Sequence, residues 1–250
     1  ASPHRKGSAY YATYRYLLGD YHPYLYRTDD YGRSWTRLTD GTNGIPADWP
    51  TRVVREDPDR EGLLYAGTEF GLFVSFDNGS HWQSLQLNLP NVPITDVKVH
   101  RKDLVVSTQG RAFWILDNVT VLHQLTEATR PDVPALFKPR DGYRTRVSPH
   151  ILGPSVDYYL PTQPAGPVTI EILDARGTEV NRYSSTGATA SGSGRGGQGA
   201  PAGPDAAPAR LREALTPAVG RSAGLNRFVW DARHRSGLTL PPGQYQLRLT

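Results

Sequence analysis

The residues best suited to chemistry in this chain sit in three short polar stretches. "LLGDYHPY" (17–24) carries Asp20 and His22, "TEFG" (68–71) carries Glu69, and "TQGR" (108–111) carries Gln109 and Arg111. A pair of carboxyl groups such as Asp20 and Glu69 is the material of glycosidic-bond hydrolysis. In the inverting form of that reaction an acid and a base stand about 6.5–9.5 Å apart across the scissile bond. One of the two must then have a raised pKa. Loop carboxylates are also common as plain solvated charges, so Asp20 and Glu69 are weak catalytic candidates. His22, Gln109 and Arg111 are candidates for a ligand face. The seven histidines show no metal-ligand spacing, and the glycine-rich run at 192–199 precedes no helix that could cradle a phosphate. Neither a metal nor a cofactor is expected.

A second set of polar residues recurs at fixed spacing. "TDDYGRSW" (28–35) and "SFDNGSHW" (75–82) align without gaps: Thr28 with Ser75, Asp30 with Asp77, Gly32 with Gly79, Ser34 with His81 and Trp35 with Trp82. Each residue type has a mechanical use. The hydroxyl and the aspartate two residues on can bond turn backbone. The glycine permits positive φ where the chain reverses. The tryptophan opens the next strand and covers the turn with a large apolar face. The phrase reads as a structural fastening between two strands, not as a catalytic site.

The elements around these residues repeat as well. The phrases lie 47 residues apart, the size of a four-stranded propeller blade. "TRVVRE" (51–56), "LLYAGT" (63–68), "GLFVS" (71–75) and "HWQSLQL" (81–87) supply four strands for one unit. "ITDVKVH" (94–100), "DLVVST" (103–108) and "AFWILD" (112–117) begin the next, which keeps an aspartate at Asp117 but loses the rest of the phrase. The first unit opens without its first strand, at "GSAYYATYRY" (7–16), "YLYRT" (24–28) and "SWTRL" (34–38). Two to three blades cannot close a ring, so further blades are expected upstream of Ala1. The polar stretches then fall between the second and third strands of each unit, where propellers meet ligands. Tyr10, Tyr14, Tyr16, Tyr24 and Tyr26 share one parity and suit an aromatic platform for sugar rings.

The second half differs in character. Proline-spaced chain at 129–152 reads as a linker. Alternating segments at 155–161, 167–177, 179–185, 224–233 and 241–250 predict a small antiparallel sandwich, with "DARG" (174–177) as a hairpin turn. Residues 186–209 are almost wholly Gly, Ala, Ser and Pro and predict a disordered insertion. A short helix is expected over 209–219. The fold class is therefore all-β: a partial propeller over 1–128, then an Ig-like β-sandwich over 153–250.

Composition narrows the function classes. The chain has 250 residues, with 25 Gly, 21 Pro and 14 Tyr, a mix that favours short strands and tight turns. Cysteine is absent, which removes disulfide frameworks and thiolate metal sites. The net charge of +4 is scattered, which argues against nucleic-acid binding. No apolar run is long enough to span a membrane. Methionine is absent too, so the chain is expected to be a segment of a longer protein.

The pattern Ser/Thr-x-Asp-x-Gly-x-x-Trp, present twice at blade spacing, resembles the Asp-box or BNR repeat of sialidase-like, xyloglucanase-like and sortilin-like β-propellers. "YAGTEFGLFVSFDNGSHW" and "VVSTQGRAFWILDN" are similar to the closing blades of large bacterial BNR-repeat proteins, often labelled glycosyl hydrolases. "GLNRFVWDAR" and "PPGQYQLRLT" resemble the FlgD/fibronectin-like sandwich that follows such propellers. The resemblance implies a structural Asp-box made by Thr28, Asp30, Gly32, Ser34 and Trp35, and another by Ser75, Asp77, Gly79 and Trp82. It places histidine where this chain has Gln109, so a role for that histidine does not carry over. It implies a secreted, periplasmic or envelope-associated bacterial protein. The expected partners are upstream blades and either carbohydrate or an extracellular peptide or protein. Two functions follow: a non-catalytic binding or scaffold segment, or part of a glycoside hydrolase whose catalytic residues lie mostly upstream.

Overall fold

A computed structural model describes residues 1–125, 131–143, 153–186 and 218–250 of the chain. The expected insertion beyond residue 186 and nearly all of the helix expected at 209–219 lie outside the described residues. The chain divides into two compact units, Ala1–Thr126 and Glu127–Thr250. Both are built from small antiparallel sheets, none of them closed.

The first unit contains three sheets. Its strands are β1 (Ala9–Arg15), β2 (Asp20–Thr28), β3 (Thr36–Arg37), β4 (Thr51–Glu56), β5 (Leu64–Thr68), β6 (Leu72–Ser75), β7 (Gln83–Ser84), β8 (Ile94–His100), β9 (Asp103–Thr108) and β10 (Phe113–Leu116). They pair as β1-β2-β3, β4-β5-β6-β7 and β10-β9-β8. One 3₁₀ turn, Tyr16–Leu18, joins β1 to β2, and a short helix, α1 (Thr120–Gln124), follows β10. The repeat of the sequence reappears here, since β2 and β6 both end at the first residue of the phrase and β3 and β7 both start just after its tryptophan.

Side-chain alternation stacks the three sheets. Successive residues of a strand point to opposite faces, and β5 and β6 are apolar on both. Leu64, Ala66 and Phe73 join Leu25, Tyr10 and Ala12 of the first sheet in one core. Tyr65, Leu72 and Val74 join Ile94, Val97, Leu104 and Val106 of the third sheet in another. The middle sheet is thus buried on both faces, which explains its near-continuous apolar sequence. The first and third sheets are each buried on one face only.

Among the described residues the second unit shows two three-stranded sheets sharing one core. Strands β11 (Ala135–Leu136), β12 (Ser155–Leu160) and β15 (Gly224–Val229) form one, in the order β11-β12-β15. Strands β13 (Thr169–Leu173), β14 (Glu179–Ser184) and β16 (Gln246–Leu249) form the other, in the order β14-β13-β16. Val156, Tyr158 and Phe228 from the first meet Ile170, Ile172 and Leu247 from the second. Residues 135–136, inside the stretch read from sequence as linker, form a ladder with β12. The "DARG" turn closes as expected, with the Gly177 amide bonded to the Asp174 carbonyl and φ of 83° at the glycine.

Candidate functional site

The two phrases adopt one hydrogen-bonded design. In the first, Thr28 Oγ1 donates to Asp30 Oδ1 at 2.8 Å and accepts the Gly32 amide at 2.9 Å. Asp30 then accepts the Ser34 amide at 2.9 Å and the Ser34 hydroxyl at 2.6 Å. In the second, Ser75 Oγ donates to Asp77 Oδ1 at 2.8 Å and accepts the Gly79 amide at 2.9 Å. Asp77 accepts the His81 amide at 2.9 Å and His81 Nδ1–H at 2.6 Å. Serine and histidine thus do the same work at the same position. Gly32 and Gly79 have φ of 87° and 89°, and Tyr31 and Asn78 before them are also left-handed. Hydrogen bonds, those of Ser34 first, hold the Asp30 carboxyl down to about 2. Both aspartates are acceptors fixed in the turn.

The tryptophans of the two phrases differ in surroundings. Trp82 is 4% exposed, packs with Leu38 and Ile45, and donates Nε1–H to the Leu38 carbonyl at 3.1 Å. Asn43 ties the same loop to the second phrase through the Ser80 carbonyl. Trp35 is 47% exposed and meets the edge of Tyr11, at 6.2 Å between ring centroids. Trp82 faces the preceding sheet, and Trp35 occupies the equivalent place on the outer face of the first sheet.

The polar stretches that carry the other candidates connect β1 to β2, β5 to β6 and β9 to β10, the corresponding ends of three neighbouring sheets. Asp20 and His22 lie within β2 itself and not in a loop. Asp20 Oδ2 accepts Tyr24 Oη–H at 2.7 Å, and Oδ1 accepts His22 Nδ1–H at 2.9 Å. Arg15 stands 3.4 Å away. These bonds, that of Tyr24 first and then that of His22, pull the Asp20 carboxyl down to about 2. It is an ionised acceptor, the opposite of a general acid. Its bond to Nδ1 orients the exposed His22 ring. Both residues line a shallow depression of about 530 Å³, with Tyr24, Ala47 and Asp48. Glu69 is committed elsewhere, accepting Arg52 Nε–H at 2.6 Å. Burial opposes the Arg52 charge, but the bond and charge of Glu69 outweigh it and raise its pKa. No hydrogen bond or ion pair joins Asp20 to Glu69.

Glu69 and Gln109 prove to be equivalent, since their amides donate to the carbonyls of Pro50 and Pro93 at the entrance to β4 and β8. Gln109 and Arg111 are exposed, and the Arg111 carbonyl accepts Trp114 Nε1–H. The tyrosines do not form one platform. Tyr10 turns into the core between sheets and bonds Asn78, while Tyr26 pairs across from Tyr11 on the opposite face. Tyr14 stacks on Tyr16 and under Arg52, and Tyr24 lies under Arg37 at 4.6 Å. The bulge between Thr13 and Arg15 breaks the parity that the sequence implied.

One cluster has no signal in the sequence. Asp57, wholly buried, receives four donors on its carboxylate: the amides of Asp59 and Arg60 on Oδ1, and Tyr65 Oη–H and His123 Nε2–H on Oδ2. His4 Nε2 bonds its carbonyl at 2.7 Å. Burial works against the Asp57 charge, but the His123 bond and the others outweigh it and lower its pKa. Asp57, Asp59 and His123 each bring a possible metal-ligand atom within 4.8 Å of the others. The four donors already fill the Asp57 carboxylate, so the cluster works as a tie between segments. Residues 57 and 123 are too far apart in the chain for spacing to reveal it.

No family model matches the chain, and no match is found among the curated proteins. Sheets and geometry define an all-β protein whose first unit is a stack of antiparallel sheets fastened by a repeated turn. No helix among the described residues is long and apolar enough to cross a membrane.

Proposed function

We propose that this chain is a non-catalytic binding or scaffold segment of a secreted, periplasmic or envelope-associated bacterial protein. On this reading the stacked sheets belong to a sortilin-like β-propeller of the Asp-box type, and the second unit is an Ig/FlgD-like sandwich. The observation that carries it is the identical bonding of the two phrases at the same corner of adjacent sheets, which makes their polar residues structural. The state of the two candidate carboxylates supports the non-catalytic side. The bonds of Tyr24 and His22 hold the Asp20 carboxyl ionised, down to about 2, and Glu69 is tied to Arg52 at 2.6 Å. The partner is carbohydrate or an extracellular peptide or protein, met at the strand ends that carry His22, Gln109 and Arg111.

The test is a turnover screen of the 250-residue chain on aryl glycosides and xyloglucan, alongside glycan and peptide arrays. Array binding without turnover is expected, weakened by His22→Ala or Arg111→Ala. Turnover abolished by Asp20→Asn or Glu69→Gln would replace this reading with a glycoside hydrolase.

A further inference from the structure

The chain contains two Asn-Gly pairs, Asn43–Gly44 and Asn78–Gly79. Such a pair carries a latent reaction. The glycine amide nitrogen can attack the asparagine Cγ, because glycine has no side chain to block the approach, and asparagine is thermolabile in proteins. The structure treats the two pairs differently.

At Asn78–Gly79 the nucleophile is held. The Gly79 amide donates to Ser75 Oγ at 2.9 Å inside the second phrase. Asn78 is fixed as well, its amide donating to the Gly62 carbonyl and its Oδ1 accepting Tyr10 Oη–H at 2.7 Å. At Asn43–Gly44 the bonds lie elsewhere. Asn43 Nδ2, the atom that departs in the reaction, donates to the carbonyls of Leu38 and Ser80 at 2.9 and 3.1 Å, and the Asn43 carbonyl accepts the Trp82 amide. The Gly44 amide makes no hydrogen bond among the described residues. The glycine is required here, since it has φ of 115° and a Cβ would collide with the Trp82 carbonyl oxygen. The seam between the loop at 38–45 and the second phrase is therefore built from a pair whose own chemistry can undo it.

We propose that Asn43 is a self-modification site, converted to aspartate and isoaspartate with water as the co-reactant, and that the conversion loosens this seam. The Gly44 nitrogen bonds Cγ and gives up its proton, the Cγ–Nδ2 bond breaks, and Nδ2 leaves as ammonia. Water then opens the succinimide ring at either of its carbonyls. One opening leaves aspartate at position 43, and the other leaves isoaspartate, whose main chain runs through the side-chain carbon. The sum is water taken up and ammonia released. Both donors to Leu38 and Ser80 depart with the ammonia, and in the aspartate product a carboxylate faces those carbonyl oxygens instead. The inference goes beyond the binding role and needs no ligand, so each can fail while the other stands.

The experiment is peptide mapping of the whole chain by mass spectrometry after incubation at mildly alkaline pH, with fragmentation that separates aspartate from isoaspartate. In denaturant the two pairs are expected to convert at similar rates, because glycine follows both. In the native chain residue 43 is expected to convert more than about fivefold faster than residue 78, the factor that a hydrogen bond on the Gly79 amide supplies. Ser75→Ala removes that bond, and conversion at residue 78 then rises, with circular dichroism confirming the fold; the native wild-type ratio decides alone where that variant unfolds. The converted chain, separated by ion exchange, melts below the unconverted one, and Asn43→Asp reproduces the loss. Absence of conversion at residue 43 in the native chain, equal conversion at both pairs, or a converted chain that melts with the unconverted one overturns the proposal. Unchanged conversion at residue 78 in folded Ser75→Ala overturns the protection assigned to Ser75.

Discussion

Two tryptophans that are equivalent in sequence are not equivalent in energy, and the difference is readable from their neighbours. Trp82 fills the space between two sheets and satisfies its own Nε1–H on Leu38. Removing it leaves a cavity and an unpaired carbonyl, for a cost of about 3–5 kcal/mol. Trp35 has water over nearly half its surface, and Trp35→Ala should cost under about 1 kcal/mol in the dilute chain. Thermal melts of Trp82→Ala and Trp35→Ala, read beside the wild type, check the contrast. Similar losses in both would mean that the phrase stabilises each sheet locally, with no help from the sheet before it. The aspartates differ less, because each bonds only inside its own turn. Exchange of Ser34 and His81 types is tolerated by that turn since both residues offer a backbone amide and one side-chain donor to the same carboxylate.

At the scale of elements, the sequence was legible wherever one residue type had one job. Strand β4 occupies 51–56 as read, because Val53 and Val54 sit between a proline and a charged turn. Strand β2 begins four residues earlier than its pattern, at Asp20, since Asp20, read from its type as part of a turn, here pairs with Arg15 at the end of β1 across a bulge. Helix α1 was invisible: Thr120, Val121 and Leu122 have no preference for a helix this short. It is held in place by tertiary contacts, His123 on Asp57 and Arg60 on the Leu122 carbonyl. That tie makes a prediction about acid. Asp57 has a lower pKa folded than unfolded, so it stabilises the fold at pH above the ordinary aspartate value. The contribution disappears as pH falls from about 3.9 through the lowered folded value. Asp57→Asn should cost about 2–3 kcal/mol at neutral pH, through a neutral amide facing donors meant for a carboxylate. The gap in melting temperature between wild type and variant should narrow as the solution is acidified below that value. A gap that stays constant with pH would show that Asp57 acts by shape and not by charge.

For the whole molecule, the stack of sheets sets a gradient of protection within the first unit. The middle sheet is covered on both faces, and every residue of β5 and β6 is buried. Opening it requires the loss of two cores at once. The first and third sheets each contribute to one core, and β1 and β10 are each one of their two edge strands. Local opening needs less free energy where fewer buried contacts are broken. Amides of β5 and β6 should therefore exchange with deuterium at least about tenfold more slowly than those of β1 and β10. Exchange followed by mass spectrometry on fragments of the chain reads this gradient strand by strand. Uniform exchange across the three sheets would mean that they open as one unit, and that the faces turned outward contribute as much to folding as those turned in.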